Sequence, residues 1–358
     1  MGHIRPFAEP DIPLVAALHR AVFRTSHDLQ RDGYPAYFRS VYLDNPSRDS
    51  GLPSLVYEAN DRIVGFLGVV PRRLRMGGKR LQAAVSSQFI VDANGRSGVV
   101  AVQLARTFLE GPQDLSIADE ANDAARRLWE GLGGTTALLP SLHWTRPLRP
   151  ARLALSFLRN RTALAPLAAI AGPPSRILDA LATRLPHSQL FQSRPHVLDG
   201  DLRADTVVAH LAECTAGSVT VEYDRGTLQW LLVRAAARTT GSRLHTAAIM
   251  NSDANVIGWY VYSLERGGIA EVLQLAAKPC SIEPVLDHLF YRAWRQGAVA
   301  VAGRLEPRLL QALSDKYCLF HRRGPWMLVH ARRPDIVRAF QLGDVFFSRL
   351  DGEWCLRY

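Results

Sequence analysis

The chain has 358 residues, 47% of them hydrophobic and 21% charged, with a formal net charge of +10. That length allows two domains, each with its own core, and the composition excludes a disordered or fibrous chain. No apolar run reaches the roughly 18 residues that a membrane-spanning helix needs, and the N-terminus lacks a signal-peptide core, so a cytoplasmic protein without a membrane role is expected.

Taken in order, the first 150 residues alternate strand and helix signals. Residues 3–7 read as a strand, and Asp11 with Pro13 marks a helix start before Leu14, Val15, Leu18 and Val22. Ser54–Ala59, Ile63–Leu74 and Leu81–Asp92 read as three strands joined by turns at Asn60-Asp61 and Gly77-Gly78. A helix follows over residues 99–110, ended by Gly111-Pro112. Asp114–Asp119 is a short strand, Asn122–Leu132 an amphipathic helix, and Thr135–Leu139 a further strand.

Residues 150–190 read as helical. From residue 196 a similar order returns: helix 203–214, strand Ser218–Glu222 and a helix near Leu228–Ala237. Strands at 244–250, Val256–Leu264 and Ile269–Ala276 come next. Helix 282–296, strand 298–303, helix 306–316 and strand 326–331 complete the second half. The expected class is α+β, each half a mixed, mostly antiparallel sheet flanked by helices. The expected domains are residues 1–148, a helical linker 149–195, and 196–358 with a C-terminal extension.

Cys214, Cys280, Cys318 and Cys355 are widely spaced without metal-ligand spacing, so no metal and buried free thiols are expected. The positive charge suits acidic partners such as a diphosphate, an acyl carrier protein or nucleic acid. The arginines are scattered and no nucleic-acid motif accompanies them, so that last reading rests on charge alone.

The chemistry-bearing segment runs from Gln88 to Leu104. A strand ends, the turn Ala93-Asn94-Gly95-Arg96-Ser97-Gly98 follows, and a helix begins at once. Such a turn aims several unpaired N–H groups and a positive helix end at one point, which suits a diphosphate. The segment from Asp119 to Gly134 then places a second helix start beside it. Together these resemble motifs A and B of the GNAT family of acetyl-CoA-dependent N-acyltransferases. Val91, Arg96, Ala101 and Leu104 match the first motif; Asn122, Ala125, Leu128 and Gly133 match an Asn-x-x-Ala-x-x-Leu pattern with a later glycine. The opening Ile4-Arg5-Pro6 with Asp11-Ile12-Pro13 is similar to a common start of that family, and the likeness covers residues 3–146. The second half is expected to be a degenerate domain of the same build, because its turn Ala277–Pro284 has no glycine and two prolines.

The resemblance implies transfer of an acetyl or longer acyl group from acyl-CoA to an amine or amino-sugar acceptor, with an acyl carrier protein as another donor. It implies that Arg96, Ser97, Gly98, Val99, Val100 and Ala101 cradle the diphosphate. Phe89, Ile90 and Val91 would pair with the pantetheine arm, and Asn122 would bond it or else cap its helix. For the general base, Asp119 and Glu120 at the strand end, or His143 beside Trp144, are the candidates. Two positions depart from the pattern. Val99 stands where the family has glycine, and Trp129, a donor without an acidic hydroxyl, stands where it often has tyrosine. A CoA-binding or regulatory module without turnover is therefore the alternative. The closing run Asp351-Gly352-Glu353-Trp354-Cys355 is read as able to fold over a cleft.

Overall fold

Turn chemistry sets the first elements. The computed structural model describes residues 2–23, 33–93, 97–159, 175, 179, 188, 190–215, 217–237 and 241–357. β1 (His3–Pro6), α1 (Ile12–Phe23) and α2 (Gly33–Phe38) precede a meander of β2 (Leu55–Ala59), β3 (Arg62–Met76) and β4 (Lys79–Val91). Asn60 and Asp61 take φ of 51° and 56°, and Gly77 and Gly78 take 55° and 78°. Paired left-handed residues give a two-residue turn the twist its flanking strands require. Next come α3 (Ser97–Leu109), β5 (Leu115–Ala121), α4 (Asp123–Gly131) and β6 (Thr135–Thr136).

The chain continues with β7 (His143–Pro147), α5 (Pro150–Arg159), β8 (Leu198–Gly200), α6 (Ala204–Cys214), β9 (Val219–Val221) and α7 (Arg225–Ala237). A second meander follows: β10 (Ser242–Met250), β11 (Val256–Glu265) and β12 (Ile269–Ala277). Then come α8 (Ile282–Arg295), β13 (Ala300–Arg304), α9 (Leu310–Asp315), β14 (Leu319–His321), β15 (Trp326–His330), α10 (Pro334–Leu342), β16 (Val345–Phe346) and α11 (Glu353–Leu356).

Two compact units result. The first comprises Met1–Leu139, Gly217–Arg238 and Pro325–Tyr358; the second comprises Pro140–Ala216 and Thr239–Gly324. The first sheet runs β1-β2-β3-β4-β5-β15-β6, with β9 on β3 and β16 on β9. It is antiparallel except at β4–β5 and β9–β16. The second runs β14-β7-β13-β12-β11-β10-β8 and is parallel only at β12–β13. Each unit is thus α+β with a mixed, mostly antiparallel sheet. In the first, Val100, Leu104 and Phe108 of α3 and Trp129 of α4 join one cluster with Leu67, Ala84 and Leu328. In the second, Leu286, Leu289 and Phe290 of α8 cluster with Tyr260, Tyr262 and Val301.

The division departs from single cuts near 148 and 196. β7 follows the first unit in sequence yet pairs with β13 and β14. The strand at 326–330, expected to finish the second domain, lies between β5 and β6 of the first. The reason is edge pairing. β6 is only two residues long, and a five-residue strand satisfies more of the open N–H and C=O groups along β5. Of the expected helical linker, α5 is described; residues 160–174 and most of 176–189 lie outside the described residues. The thiols are free, with Cys214, Cys318 and Cys355 buried but Cys280 exposed, against the expectation of four buried ones. Among the described residues, no helix is long and apolar enough to cross a membrane.

Because Leu328 is fully buried in the first cluster, Leu328→Ala should lower unfolding free energy by about 2–5 kcal/mol. In double-mutant cycles, that loss should couple with Trp129→Phe in the same cluster and add independently to Leu289→Ala in the other. Coupling with Leu289 instead would contradict the strand placement.

Candidate active site

The site grows from a parallel pair that stops early. β4 and β5 pair at Ala83↔Leu115, Ala84↔Ser116 and Val85↔Ile117. Beyond these residues β4 runs on to Val91, held along β3, while β5 runs on to Ala121, held along β15. Each strand carries an irregularity there. On β4, Ile90 faces Phe66 and Ser87 faces Gly68, so β4 spends one residue more than β3, and Gln88 takes φ of 50°. On β5, Ala121 faces Trp326 and Ala118 faces Leu328, again one extra residue. A bulge bends and twists its strand. Two of them at one level open a wedge between the strand ends.

The bulge on β5 also sorts side chains. Regular alternation would send Asp119 and Glu120 to opposite faces. With the extra residue, Ala118 and Ala121 both enter the apolar cluster beside α3. Both carboxylates then meet the C-terminal segment. Asp119 Oδ1 accepts the Glu353 N–H at 2.6 Å. Glu120 pairs with Arg349 at 3.1 Å and with Arg357 at 3.6 Å.

α11 therefore brings Glu353 to the wedge. The Gln88 N–H, turned by the β4 bulge, donates to Glu353 Oε1 at 3.3 Å. Burial pushes the Glu353 carboxyl up to about 8; Arg357 opposes this, Asp119 and Glu120 reinforce it, and the Gln88 N–H opposes it. His19 Nε2 lies 2.8 Å from Gln88 Oε1, and burial keeps that imidazole below its usual range. Tyr42 Oη lies 2.9 Å from Ser87 Oγ, and Tyr37 Oη donates to the Leu356 carbonyl at 2.6 Å.

The seat of α11 is polar and buried. The Asp351 carboxylate accepts the Ser348 N–H at 2.9 Å, the Ser348 hydroxyl at 2.5 Å and the Tyr223 hydroxyl. Arg72, itself buried, donates through Nε to the Asp351 carbonyl at 2.9 Å. Gly352 passes so close to Asp119 that an added Cβ would overlap the carboxylate.

The sequence-predicted residues divide accordingly. Phe89, Ile90 and Val91 form the edge of β4 beyond its ladder with β5. Ser97, Gly98, Val99, Val100 and Ala101 form the first turn of α3; Arg96 lies outside the described residues. Val100 is buried, Val99 is 52% exposed, and a Cβ on Gly98 would meet nothing within 4 Å. The ground before that turn is therefore open among the described residues. Asn122 caps α4, its Oδ1 accepting the Ala125 N–H at 2.9 Å. Trp129 is buried, 5.9 Å from Phe108 between ring centres, and so presents no group to the wedge. Asp119 and Glu120 meet there. His143 lies on β7 of the second unit, stacked 6.2 Å from His321 with Nδ1 3.2 Å from the Ser141 carbonyl. Glu353 and His19 lie outside both motifs, and the closing run was the one sequence signal for Glu353; Gln88 opens the chemistry-bearing segment without a role being read for it.

The second unit repeats the opening but fills it. β12 and β13 pair in parallel only from Ile269↔Ala300 to Glu271↔Ala302. Past that point Arg308 donates to the Leu275 carbonyl at 2.8 Å and to the Cys214 carbonyl at 2.9 Å, while pairing with Glu306. Its guanidinium takes the strand-edge acceptor that an extended ligand would need.

No family model and no curated protein matches the sequence. Solved structures do. A GCN5-related N-acetyltransferase from Anabaena variabilis aligns with TM-score 0.59 and 14% identity, covering 92% of this chain and 72% of that one. A probable N-acyltransferase from Enterococcus faecalis gives 0.60 and 10% over the same shares. N-myristoyltransferase of Saccharomyces cerevisiae with bound myristoyl-CoA gives 0.52 and 10%, covering 92% and 82%. The chain has the tandem GNAT-like fold.

Asp351 supplies the test of the seat. Its removal in Asp351→Ala strips Ser348 and Tyr223 of their acceptor in a buried place, while the main-chain carbonyl that holds Arg72 remains, and should cost about 1–3 kcal/mol in denaturant titrations. The Glu353 carboxyl carries a linkage of definite sign. Its folded value lies above the usual glutamate range, so its contribution to stability is complete below about pH 4.5 and is lost as pH rises through about 8. Melting temperatures of wild type and Glu353→Gln should therefore diverge progressively from about pH 4.5 to about 8, with the wild type falling more steeply across that window. Parallel profiles would refute the raised value.

Proposed function

We propose that the chain is an N-acyltransferase that moves an acyl group, acetyl in the simplest case, from acyl-CoA to an amine. The observation that carries this reading is the wedge between β4 and β5, which leads to the first turn of α3 and has a carboxyl pushed up to about 8 beside it. The fold it shares with N-acyltransferases of known structure supports it.

The residues present suit an acyl-CoA donor. Main-chain groups of Phe89–Val91 offer an extended edge for the amide-bearing arm. The amides of Ser97–Val100 are orphan donors at a positive helix end, suited to the diphosphate. Main-chain N–H groups along the β4 edge would hold the thioester carbonyl and stabilise its developing negative charge. Binding both partners in one place converts the reaction into an effectively unimolecular step.

Glu353 is the proposed base. A protonated amine cannot attack, and a carboxylate with an affinity near that of the medium accepts its proton without holding it too tightly. Asp119 and Glu120, the candidates read from sequence, act as positioning residues in this scheme. Asp119 fixes the N-terminus of α11, and Glu120 holds Arg349 and Arg357 beside Glu353. Asn122, committed to its helix cap, contributes order to α4. Burial of Trp129 favours a second reading, a CoA-binding module without turnover, because no tyrosine stands in its place to protonate the departing thiolate.

Acetyl-CoA incubated with a panel of amines and amino sugars, with free thiol as the readout, separates the two. Turnover should rise with pH and level off above about 8, since only ionised Glu353 accepts a proton. Glu353→Gln should lower kcat by about 10²–10⁴ and remove that rise. Tight CoA binding with no thiol release from any acceptor would establish the non-catalytic module instead.

A further inference from the structure

The second unit holds a cavity of 370 Å³ that the acyl-transfer reading does not use. It lies between the segment Arg194–Asp199 and the C-terminal half of α8. Three guanidinium groups line it, from Arg194, Arg292 and Arg295, with one carboxylate, Asp199. Asp199 is already engaged: Arg292 Nη1 donates to its Oδ2 at 2.5 Å, and His288 Nε2 lies 3.5 Å from its Oδ1.

His288 backs this wall as a neutral ring. Burial lowers its proton affinity, Asp199 opposes that, and Arg292 adds to it. With the ring proton on Nε2 toward Asp199, Nδ1 is left to accept the Tyr260 hydroxyl at 2.9 Å. The Tyr262 hydroxyl similarly donates to Gln296 Oε1 at 3.4 Å. Both tyrosines are core residues, so the wall is tied to the sheet rather than free to rearrange.

Arg194 and Arg295 remain. Among the described residues neither has an ion-pair partner, and they leave the cavity with two uncompensated positive charges. Complementing the helix dipole explains arginines on the last turn of α8. It does not explain Arg194, which arrives from the separate segment leading into β8. Two planar guanidinium groups presenting forked donors match a tetrahedral dianion. Pro195, Val197 and the Tyr291 ring supply an apolar and stacking surface beside them. We propose that this cavity binds a phosphate monoester, its phosphate between Arg194 and Arg295 and its organic part against Tyr291 and Val197. This site is independent of the acyl-transfer reading.

Phenylglyoxal labelling of the full chain, read residue by residue by peptide mass spectrometry, tests the assignment. Glycerol 3-phosphate should slow modification of Arg194 and Arg295 by about tenfold, equivalent to about 1.4 kcal/mol of protection. Arg266, exposed in the β11–β12 turn, should react unchanged. Inorganic phosphate should protect the same pair at higher concentration, and acetate should not protect it. In Arg295→Ala, Arg194 should lose its protection while the melting temperature holds. Protection by inorganic phosphate alone would overturn the ester assignment. Equal protection of Arg266, no protection of the pair, or undiminished protection of Arg194 in Arg295→Ala would overturn the site.

Discussion

A parallel strand pair keeps its ladder only while both strands advance in step. β4 and β5 advance together for three residue pairs; then Gln88 turns to φ of 50° on one strand, and β5 gains a residue between Ala118 and Ala121. Nearly every feature of the first unit's candidate site follows from that loss of step. The edge of Phe89–Val91 is released from β5. The Gln88 N–H is redirected to Glu353. Asp119 and Glu120, neighbours in sequence, come to share a face. The local cost of the bulges is offset by the apolar cluster on the other side, where Ala118 and Ala121 stay buried with Leu104 and Leu328.

The C-terminal segment converts that geometry into chemistry. A glutamate beside two further carboxylates would ordinarily be drawn into solvent. Here α11 cannot leave, because Asp119 holds its first N–H, Tyr37 holds the Leu356 carbonyl, and Asp351 is enclosed by Ser348 and Tyr223. Burial therefore acts on Glu353 instead of expelling it, and Arg357 moderates the effect without cancelling it. Arg349, paired with Glu120 and lying over the Trp354 ring, anchors the approach to the same helix.

Much of this fold is legible along the chain because its signals are local. Asn60-Asp61 and Gly77-Gly78 announce hairpins whose backbones need left-handed residues, and Asn122 announces a cap. Helical spacing of Val100, Leu104 and Phe108 announces the buried face of α3. What the sequence pattern does not carry is partner choice. Residues 326–330 read as a strand from composition, but the edge they join is decided by the length of β6 and the register of β5, both tertiary facts. The same holds for the acids. Period-two alternation separates Asp119 from Glu120, and only the bulge unites them. Glu353 lies more than 230 residues from Asp119, and no spacing rule links the two. Trp129 was visible as a departure from the tyrosine pattern; its burial against Phe108 required the packed structure.

The two units share an element order and a parallel pair that parts early, yet they treat the opening in contrary ways. In the second, a charged side chain closes it. Arg308 satisfies the Leu275 and Cys214 carbonyls and is itself neutralised by Glu306, so a half-buried cation with three good hydrogen bonds replaces an open edge. An incoming extended ligand would have to break those bonds and leave a guanidinium unpaired, a penalty of several kcal/mol before any gain. The first unit has no such plug at the β4 edge among the described residues. Its polar investment lies beneath the wedge, in Asp119, Glu353 and Asp351, where it raises the proton affinity of Glu353. The difference between the two units thus reduces to where each places its charged side chains: across the strand edge in one, and under it in the other.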